Sequence, residues 1–495
     1  MELLTAAEMR AVEQAAIGSG AVTGLELMER AGRGVVEAML DWRPALARAP
    51  GRAIVLCGPG NNGGDGFVIA RLLKERGWEI DLRLLGEIGR LPPDAAANAA
   101  RWRAMGDIAP LGAPAPGLVV DALFGTGLAR PLEGAAAEWA EAAAGPVVTV
   151  DAPSGLCMDS GRPLGPAFRA ALTISFHREK LGHRLAEGPE RCGALRVVDI
   201  GLPAGGAAAR LGGPDAARLA KGGAGHKYGH GHALVLAGGP GKGGAARLAA
   251  RGALRIGAGL VTVGAPAAAI AENAARLDAI MLREIGDAAA LSAALEDARL
   301  NAVVLGPGLG AGAETRAMAE AALGSGRRVA LDADALTAFA SAPEALFALT
   351  NGREAVLTPH MGEFGRLFPD LREKLEAPAK RGPAYSKVDA AREAAARAGC
   401  TLLLKGADTV VADPRRGVAV VSAERERACP WLATAGAGDV LAGFIGGLLA
   451  RSFTPGAAAE TGAWLHQEAA RAFGPGLIAE DLPEALPGVL RALGA

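Results

Sequence analysis

The side chains of this 495-residue chain best suited to chemistry sit in Gly-rich loops that follow short apolar runs. Three such loops in the first half carry oxygen side chains: GPGNNGGDG (58–66), DALFGTGLARP (121–131) and DAPSGL (151–156). Their polar members include Asn61, Asn62, Asp65, Asp121, Asp151 and Ser154. In open parallel sheets ligands bind beyond the carboxyl ends of the strands, where loops converge and helix N-termini present free N–H groups. The three loops are therefore expected to meet at one rim. The first runs straight into FVIARLLKERG, so its amides can cradle a phosphate, although it lacks the G-x-G-x-x-G spacing of a dinucleotide fingerprint. Taken singly, each is equally well read as a tight turn capped by Asn or Asp. The oxygen-only character of Asn62, Asp121 and Ser154 suits a hard cation (K⁺, Na⁺ or Mg²⁺) better than zinc, and their single formal negative charge favours a monovalent one.

In the second half TAGAGDVLAGFIGGLLA (434–450) reads as a Gly-rich turn opening a buried helix, with Asp439 in the first turn. The amides there form an anion hole, and a carboxylate beside it can take a proton from a substrate hydroxyl. That is the arrangement of a hydroxyl-directed phosphoryl transfer; the plainer alternative is a helix cap. LLLKGADTVVAD (402–413) places Lys405 and a GADT turn between two strands, either a nucleotide-phosphate site using Thr409 or a simple hairpin turn. LTPHMGEF (357–364) sets His360 and Glu363 at another strand end, for ligand contact or local hydrogen bonding, and VVLGPGLG (303–310) adds a further Gly-rich loop. No G-x-x-x-x-G-K-[ST] occurs, and GGPGKGG (238–244) lacks its tail, which disfavours a P-loop enzyme.

These loops need strands to position them. From residue 50 the chain repeats a short β-branched or Leu-rich run, a polar loop and an Ala-rich helical stretch, the pattern of α/β architecture with a mainly parallel sheet. The runs are 53–57, 81–85, 118–124, 147–151, 172–176 and 195–201, then 232–238, 259–265, 301–308, 328–334, 354–360, 400–413 and 417–422. Between them the Gly/Ala/Pro-rich stretch near 210–225 reads as a linker. The halves do not repeat each other's motifs, which implies a fusion of two unlike domains, 1–210 and 225–495. The 71 glycines exceed an average share of roughly 7% and cluster at these loops. With 52 Lys+Arg against 53 Asp+Glu and no long run of one sign, a nucleic-acid platform or membrane-surface binder is disfavoured. Five scattered cysteines without a C-x-x-C argue against disulfides or zinc. The start has no apolar signal segment, no stretch reaches transmembrane length, and a cytoplasmic location is expected.

GPGNNGGDG with Asp-x-x-x-G-T-G and D-x-PSGL, the opening EMRAVEQ and GLELMERAG, and FHREKLG resemble the NAD(P)H-hydrate epimerases over about 1–205. The resemblance implies a three-layer Rossmann-like domain that equilibrates the R and S forms of NADH or NADPH hydrated at nicotinamide C6. Carried over, Asn61, Asn62, Gly63, Gly64 and Asp65 with Gly125, Thr126, Gly127, Leu128, Ala129, Arg130 and Pro131 would hold the hydrate. Asp151 would contact its reacting end, and Asn62, Asp121 and Ser154 would ligate K⁺. Epimerisation at a carbon bearing nitrogen and hydroxyl needs a proton shuttled on and off that hydroxyl, which one positioned carboxylate can do. Asp151 is the expected catalyst; Lys180 is either a second participant or a solvated surface lysine.

GPGLG, LTPHMGEF, LKGADT and GAGDVLAG, with HKYGHGHALVLAGG and ALRIGAGLVTV, resemble the ADP/ATP-dependent NAD(P)H-hydrate dehydratases of the ribokinase-like superfamily over about 225–495. The resemblance implies a second three-layer α/β/α domain. Lys405, Gly406, Ala407, Asp408, Thr409 and Gly438 would bind ADP or ATP, and Ala245, Gly308, His360 and Asp439 would face the hydrate. Two positions depart from the pattern: Ala437 stands where Ser is common, and Met361 where Pro is usual. Asp439 is the expected base, Mg²⁺ is implied by phosphoryl transfer, and family likeness implies a homo-oligomer. The competing reading is a vitamin or sugar kinase fused to a non-catalytic Rossmann-like binding module.

Overall fold

The computed structural model describes residues 1–222 and 225–495. It resolves into two compact units, Met1–Arg210 with Ala377–Ser386, and Leu211–Glu376 with Lys387–Ala495. In the first, helices α1 (Ala6–Gly18) and α2 (Gly24–Trp42) both open on capping boxes, Thr5 with Glu8 and Thr23 with Glu26. A seven-stranded parallel sheet follows: β1 (Arg52–Cys57), β2 (Glu79–Leu84), β3 (Ala109–Pro110), β4 (Leu118–Ala122), β5 (Val147–Val150), β6 (Leu172–Phe176) and β7 (Ala194–Val198). Their spatial order is β7-β6-β5-β4-β1-β2-β3.

The apolar runs of β1, β4 and β5 are unbroken because both sheet faces are covered. Val55, Val120 and Val148 pack on one face with Met28 and Val35 of α2 and Phe67 of α3 (Asn61–Glu75). Ile54, Val119 and Val147 pack on the other with Trp139 of α4 (Ala135–Ala142) and Phe168. This is the expected three-layer α/β/α arrangement. The short edge strand β3, wholly exposed, has no apolar run to announce it.

The second unit holds β8 (His232–Leu236), α5 (Gly244–Arg255), β9 (Leu260–Ala265), β10 (Met281–Glu284), β11 (Ala302–Leu305), β12 (Arg328–Leu331), β13 (Ala355–Leu357), α6 (Met361–Leu367), α7 (Lys387–Ala398) and β14 (Thr401–Leu404). It ends with β15 (Asp408–Asp413), β16 (Gly417–Ser422), α8 (Ala437–Ala450) and α9 (Pro455–Phe473), followed by a terminal helix. Sheet order is β16-β15-β14-β13-β12-β11-β8-β9-β10. The sheet is parallel except that β15 runs antiparallel to β14 and β16, so the GADT turn is a hairpin turn at strand ends. β10, largely exposed, was not anticipated from the sequence for the same reason as β3.

Helix α8 is apolar nearly all round because it lies inside the core, packed on α5. A Cβ on Gly443 would stand 2.0 Å from Ala249 O, so the two helices approach through glycine. The stretch read as a linker packs over its first part: Leu219 is buried in the second core and Gly213 N–H donates to Glu460 Oε1 at 3.1 Å. Residues 223 and 224 of that stretch lie outside the described residues.

Candidate active sites

In the first unit β1 lies between β4 and β2, so the loops after β1 and β4 face each other at the topological switch point. Gly58 N–H donates to Ala122 O at 3.0 Å, and a Cβ on Gly58 would fall 1.7 Å from Leu123 O; glycine alone permits this approach. Helix α3 then starts at Asn61 without a side-chain cap, which leaves its first amides open to a ligand.

Asp151 follows β5 with left-handed backbone, φ 64°, a conformation that its contacts must hold in place. Its Oδ2 accepts from Thr126 N–H at 2.8 Å and from the Thr126 hydroxyl. Its Oδ1 accepts from Lys180 Nζ at 2.9 Å and Ser175 Oγ at 3.1 Å. Lys180 is fully buried and also donates to Ser175 Oγ at 2.9 Å and Phe176 O at 3.1 Å, so the reading of it as a solvated surface lysine is overturned. Burial works to raise the Asp151 carboxyl, but the Lys180 charge and the Thr126 donors outweigh it and hold the group well below the usual carboxylate range. Asp65, just past the first turn of α3, goes the opposite way: burial, then the charges of Asp151 and Glu13, push it well above its ordinary value. Glu13 of α1, raised by burial and then by Asp151, belongs to the same acidic group; in the sequence it was an unremarkable helix glutamate.

A Cβ on Gly125 would come within 2.9 Å of Asp151 Oδ2 and 3.0 Å of Asn62 Oδ1, so the structure brings these three residues together. Asn62 Nδ2 is buried without a partner among the described residues. Asp121 is fully buried, its Oδ1 accepting from Ser154 Oγ at 2.7 Å and Leu123 N–H at 3.2 Å, its Oδ2 from Ser154 N–H at 2.8 Å. Burial pushes the Asp121 carboxyl up to about 6 against the pull of these neutral donors. A fully buried carboxylate served only by neutral donors, with the Ser154 hydroxyl oxygen beside it, is an oxygen donor set that fits a bound monovalent cation. Along the second loop Thr126 is buried, while Gly127, Ala129 and Arg130 are exposed. Leu128 turns its side chain into the cluster with Leu132 and Phe168 and has only backbone to offer a ligand. Of the first loop, Asn61 is exposed and Gly63 and Gly64 are buried; a Cβ on Gly64 would meet Met28 at 2.5 Å. Pro131 is partly buried.

In the second unit the switch point lies between β8 and β11. A Cβ on Gly238 would stand 1.9 Å from Gly308 O, and one on Gly308 would lie 3.8 Å from the Ala245 methyl, which places Ala245 and Gly308 side by side. A cavity of about 680 Å³ is lined by His360, Lys405, Gly406, Ala407, Thr409 and Gly438, together with Leu432 and Leu441. Thr409 Oγ1 donates to Gly406 O at 2.6 Å and accepts from Gly406 N–H at 3.2 Å, so its hydroxyl shapes the turn. Asp408 points instead to Lys387, whose Nζ lies 2.6 Å from Oδ1.

Asp439 lies in the first turn of α8, whose Gly436 cap is left-handed (φ 84°) and makes no side-chain cap bond. Burial, then the nearby Asp332, push its carboxyl up to about 6, against the pull of Lys405. Lys405 Nζ donates to Asp332 Oδ1 at 2.7 Å and stands 3.9 Å from Glu363 Oε2. Asp332 also accepts from Thr358 Oγ1 at 2.8 Å. The sequence reading overlooked Asp332, although an Asp at the end of the β12 run carries the signal that singled out Asp151. A Cβ on Gly438 would be 3.7 Å from Lys405 Nζ and 4.0 Å from Asp332 Oδ2, so the Gly-rich turn and this ion pair adjoin. His360 caps α6: its Nδ1 accepts from Gly362 N–H at 2.9 Å, and Glu363 Oε2 accepts its N–H at 2.9 Å. Its side chain is half exposed, with Nε2 3.4 Å from Glu363 Oε1, and the residue lines the cavity. His466, also unforeseen, is buried with Nε2 2.8 Å from Ala437 O; burial lowers it to about 4, so the ring is neutral and its N–H holds the α8 turn.

The family model described as NAD(P)H-hydrate dehydratase matches residues 233–486, and that of the YjeF-related protein N-terminus matches 24–182. The chain is 36% identical to the bifunctional NAD(P)H-hydrate repair enzyme Nnr of Moorella thermoacetica, over all of this chain and 97% of that one. Its first part is 53% identical to the NAD(P)H-hydrate epimerase of Rhodobacter capsulatus, over 37% of this chain and 91% of that one. Among solved structures it resembles the ADP/ATP-dependent NAD(P)H-hydrate dehydratase of Bacillus subtilis co-crystallized with ATP/Mg²⁺, at 27% identity and a TM-score of 0.45, covering 56% of this chain and 94% of that one. Full-length identity and the two matched halves agree: the chain belongs to the bifunctional NAD(P)H-hydrate repair enzymes, an epimerase followed by a dehydratase.

Proposed function

We propose that the two sites act in series on NADH or NADPH hydrated at C6 of the nicotinamide. In the first, Thr126 and Lys180 keep Asp151 ionised, and its carboxylate receives the hydrogen bond of the C6 hydroxyl. Asp65 is pushed well above its ordinary value by burial and then by the charges of Asp151 and Glu13, so it holds a proton more readily than Asp151 does. Two carboxylates driven apart in this way divide the roles of proton acceptor and donor as the C6 centre opens or ionises and closes again. Loop residues 61–65 and 125–131 hold the hydrate. Asn62, Asp121 and Ser154 supply the oxygen donors for K⁺, which when bound gives the buried Asp121 carboxylate its counter-charge.

In the second, ADP or ATP lies along 405–409 and Gly438, where Mg²⁺ would, when bound, offset the phosphate charge, and the S hydrate faces Ala245, Gly308, His360 and Asp439. Asp439 takes the C6 hydroxyl proton, and the hydroxyl oxygen bonds to the terminal phosphorus as the bridging P–O bond breaks. The C6–O bond then breaks, phosphate departs and C5 loses a proton, restoring NAD(P)H. ADP leaves as AMP, and ATP as ADP. The observation that carries this reading is Asp439: a half-buried carboxyl raised to about 6 beside uncapped amides is matched to accept a proton at neutral pH. The test is recovery of reduced-nicotinamide absorbance from mixed-epimer NADH hydrate with Mg²⁺ and ADP, ATP or neither. Complete, nucleotide-dependent recovery is expected. Recovery that stalls at the S fraction removes the epimerase step, and accumulation of a stable phosphorylated hydrate removes the lyase step.

A further inference from the structure

Residues 377–386 lie in the second half of the sequence yet pack as part of the first unit. Gly382 N–H donates to Ala129 O at 3.0 Å. A Cβ on Gly382 would stand 2.5 Å from Leu128 O, so the two backbones meet where only glycine fits. Ala384 is buried: its N–H donates to Cys157 Sγ at 3.3 Å, and its methyl joins the cluster holding Leu128, Leu132 and Phe168. Arg162 grips both ends of the segment, donating to Tyr385 O at 3.3 Å and to Ala377 O.

In the loop so contacted Gly127, Ala129 and Arg130 are exposed; Thr126 is tied to Asp151, Leu128 N–H to Gly125 O at 3.2 Å, and the Leu128 side chain to the cluster that Ala384 completes. A displacement of Leu128 and Ala129 would therefore travel along a few bonds to the Asp151 carboxylate. We propose that residues 377–386, encoded within the dehydratase half, are a positioning element of the epimerase site, bracing the 125–131 loop so that the hydrate meets Asp151. The proposal rests on the reading of that loop as the holder of the hydrate. A brace acts on how substrate is placed, so its loss appears in KM before kcat.

The test uses the full chain and follows R-to-S conversion by chromatographic separation of the epimers without nucleotide. Gly382→Ala pushes on Leu128 O, and Arg162→Met releases both ends of the segment. Each is expected to raise the epimerase KM about tenfold with kcat within about threefold, and to leave dehydration of the S form unchanged. The double variant should be no worse than the worse single one, because both break one device. Arg162→Lys, which can still reach one carbonyl, should recover part of the loss. An unchanged KM in both variants, or a fall confined to kcat that tracks lost folded protein, overturns the proposal. Thr126→Ala is the reference: if its KM also stays put, the assignment of the 125–131 loop fails; if it alone moves, the brace fails.

Discussion

Both halves of the molecule place an aspartate beside a lysine at a Gly-rich rim, and the two aspartates titrate in opposite directions. In the first half Lys180 is spent on Asp151 itself, at 2.9 Å, and the carboxyl is held low. In the second, Lys405 is committed to Asp332 at 2.7 Å, and Asp439 rises to about 6. Burial is the first cause at both sites and acts in the same direction. Lys180 and the Thr126 donors bring Asp151 down, whereas at Asp439 the Asp332 charge adds to burial and outweighs Lys405; under the proposed function this separates a fixed anion from a proton acceptor.

The contrast can be broken at several points. Asp439→Asn removes the acceptor, and nucleotide-dependent NADH recovery should fall by about 10²–10⁴-fold while R-to-S conversion persists; an equal loss of both activities would contradict separate sites. Lys180→Met strands a buried carboxylate, and breaking such a pair costs about 3–5 kcal/mol of stability. Epimerase activity should fall by about a hundredfold or more, with dehydration retained in whatever protein stays folded, as read by chromatography and thermal melts. Lys405→Met has a subtler effect. Asp439 must be ionised to act, so the dehydratase rate should rise with pH through about 6. Without the Lys405 charge, and with Asp332 uncompensated, that limb should move to higher pH and the rate at neutral pH should fall by about tenfold. A limb that stays in place would remove Asp439 as the titrating base.

The smallest effect concerns Asp121. Its folded carboxyl, at about 6, lies above the ordinary carboxylate value, so native stability declines as pH rises between the two and the ionised form is the costly one. K⁺ should therefore raise Tm little in acid and by about 2–4 °C above pH about 6, compared with a bulky organic cation. A K⁺ effect independent of pH would place the ion elsewhere.

Much of this was legible in the residues. The Gly/Asn/Asp loops after apolar runs marked strand ends, and strand ends in parallel sheets gather ligands, so Asn62, Asp121, Asp151 and Asp439 stood out without any coordinates. What escaped depends on tertiary context. Lys180 in FHREKLG reads equally as a second participant or a surface lysine, because only the fold brings its ammonium to the Asp151 carboxylate while Ser175 and Phe176 supply its other acceptors. Leu128 sits among the hydrate-loop residues in sequence, yet its side chain belongs to the core. Edge strands β3 and β10 lack the buried faces that give a strand its pattern. The placement of 377–386 with the first unit is invisible to any reading that cuts the chain in two.

That last feature bears on how the protein is made. The first unit includes residues up to Ser386, so a nascent chain that has just emitted Arg210 holds an epimerase domain with a missing piece. At 5–20 residues per second the ribosome needs roughly 10–35 s more to deliver that piece. During that interval the 125–131 loop and the Leu132 and Phe168 cluster await Ala384, and the dehydratase sequence is well under way before the epimerase is whole. Assembly of the two halves is thus interleaved in time as well as in sequence.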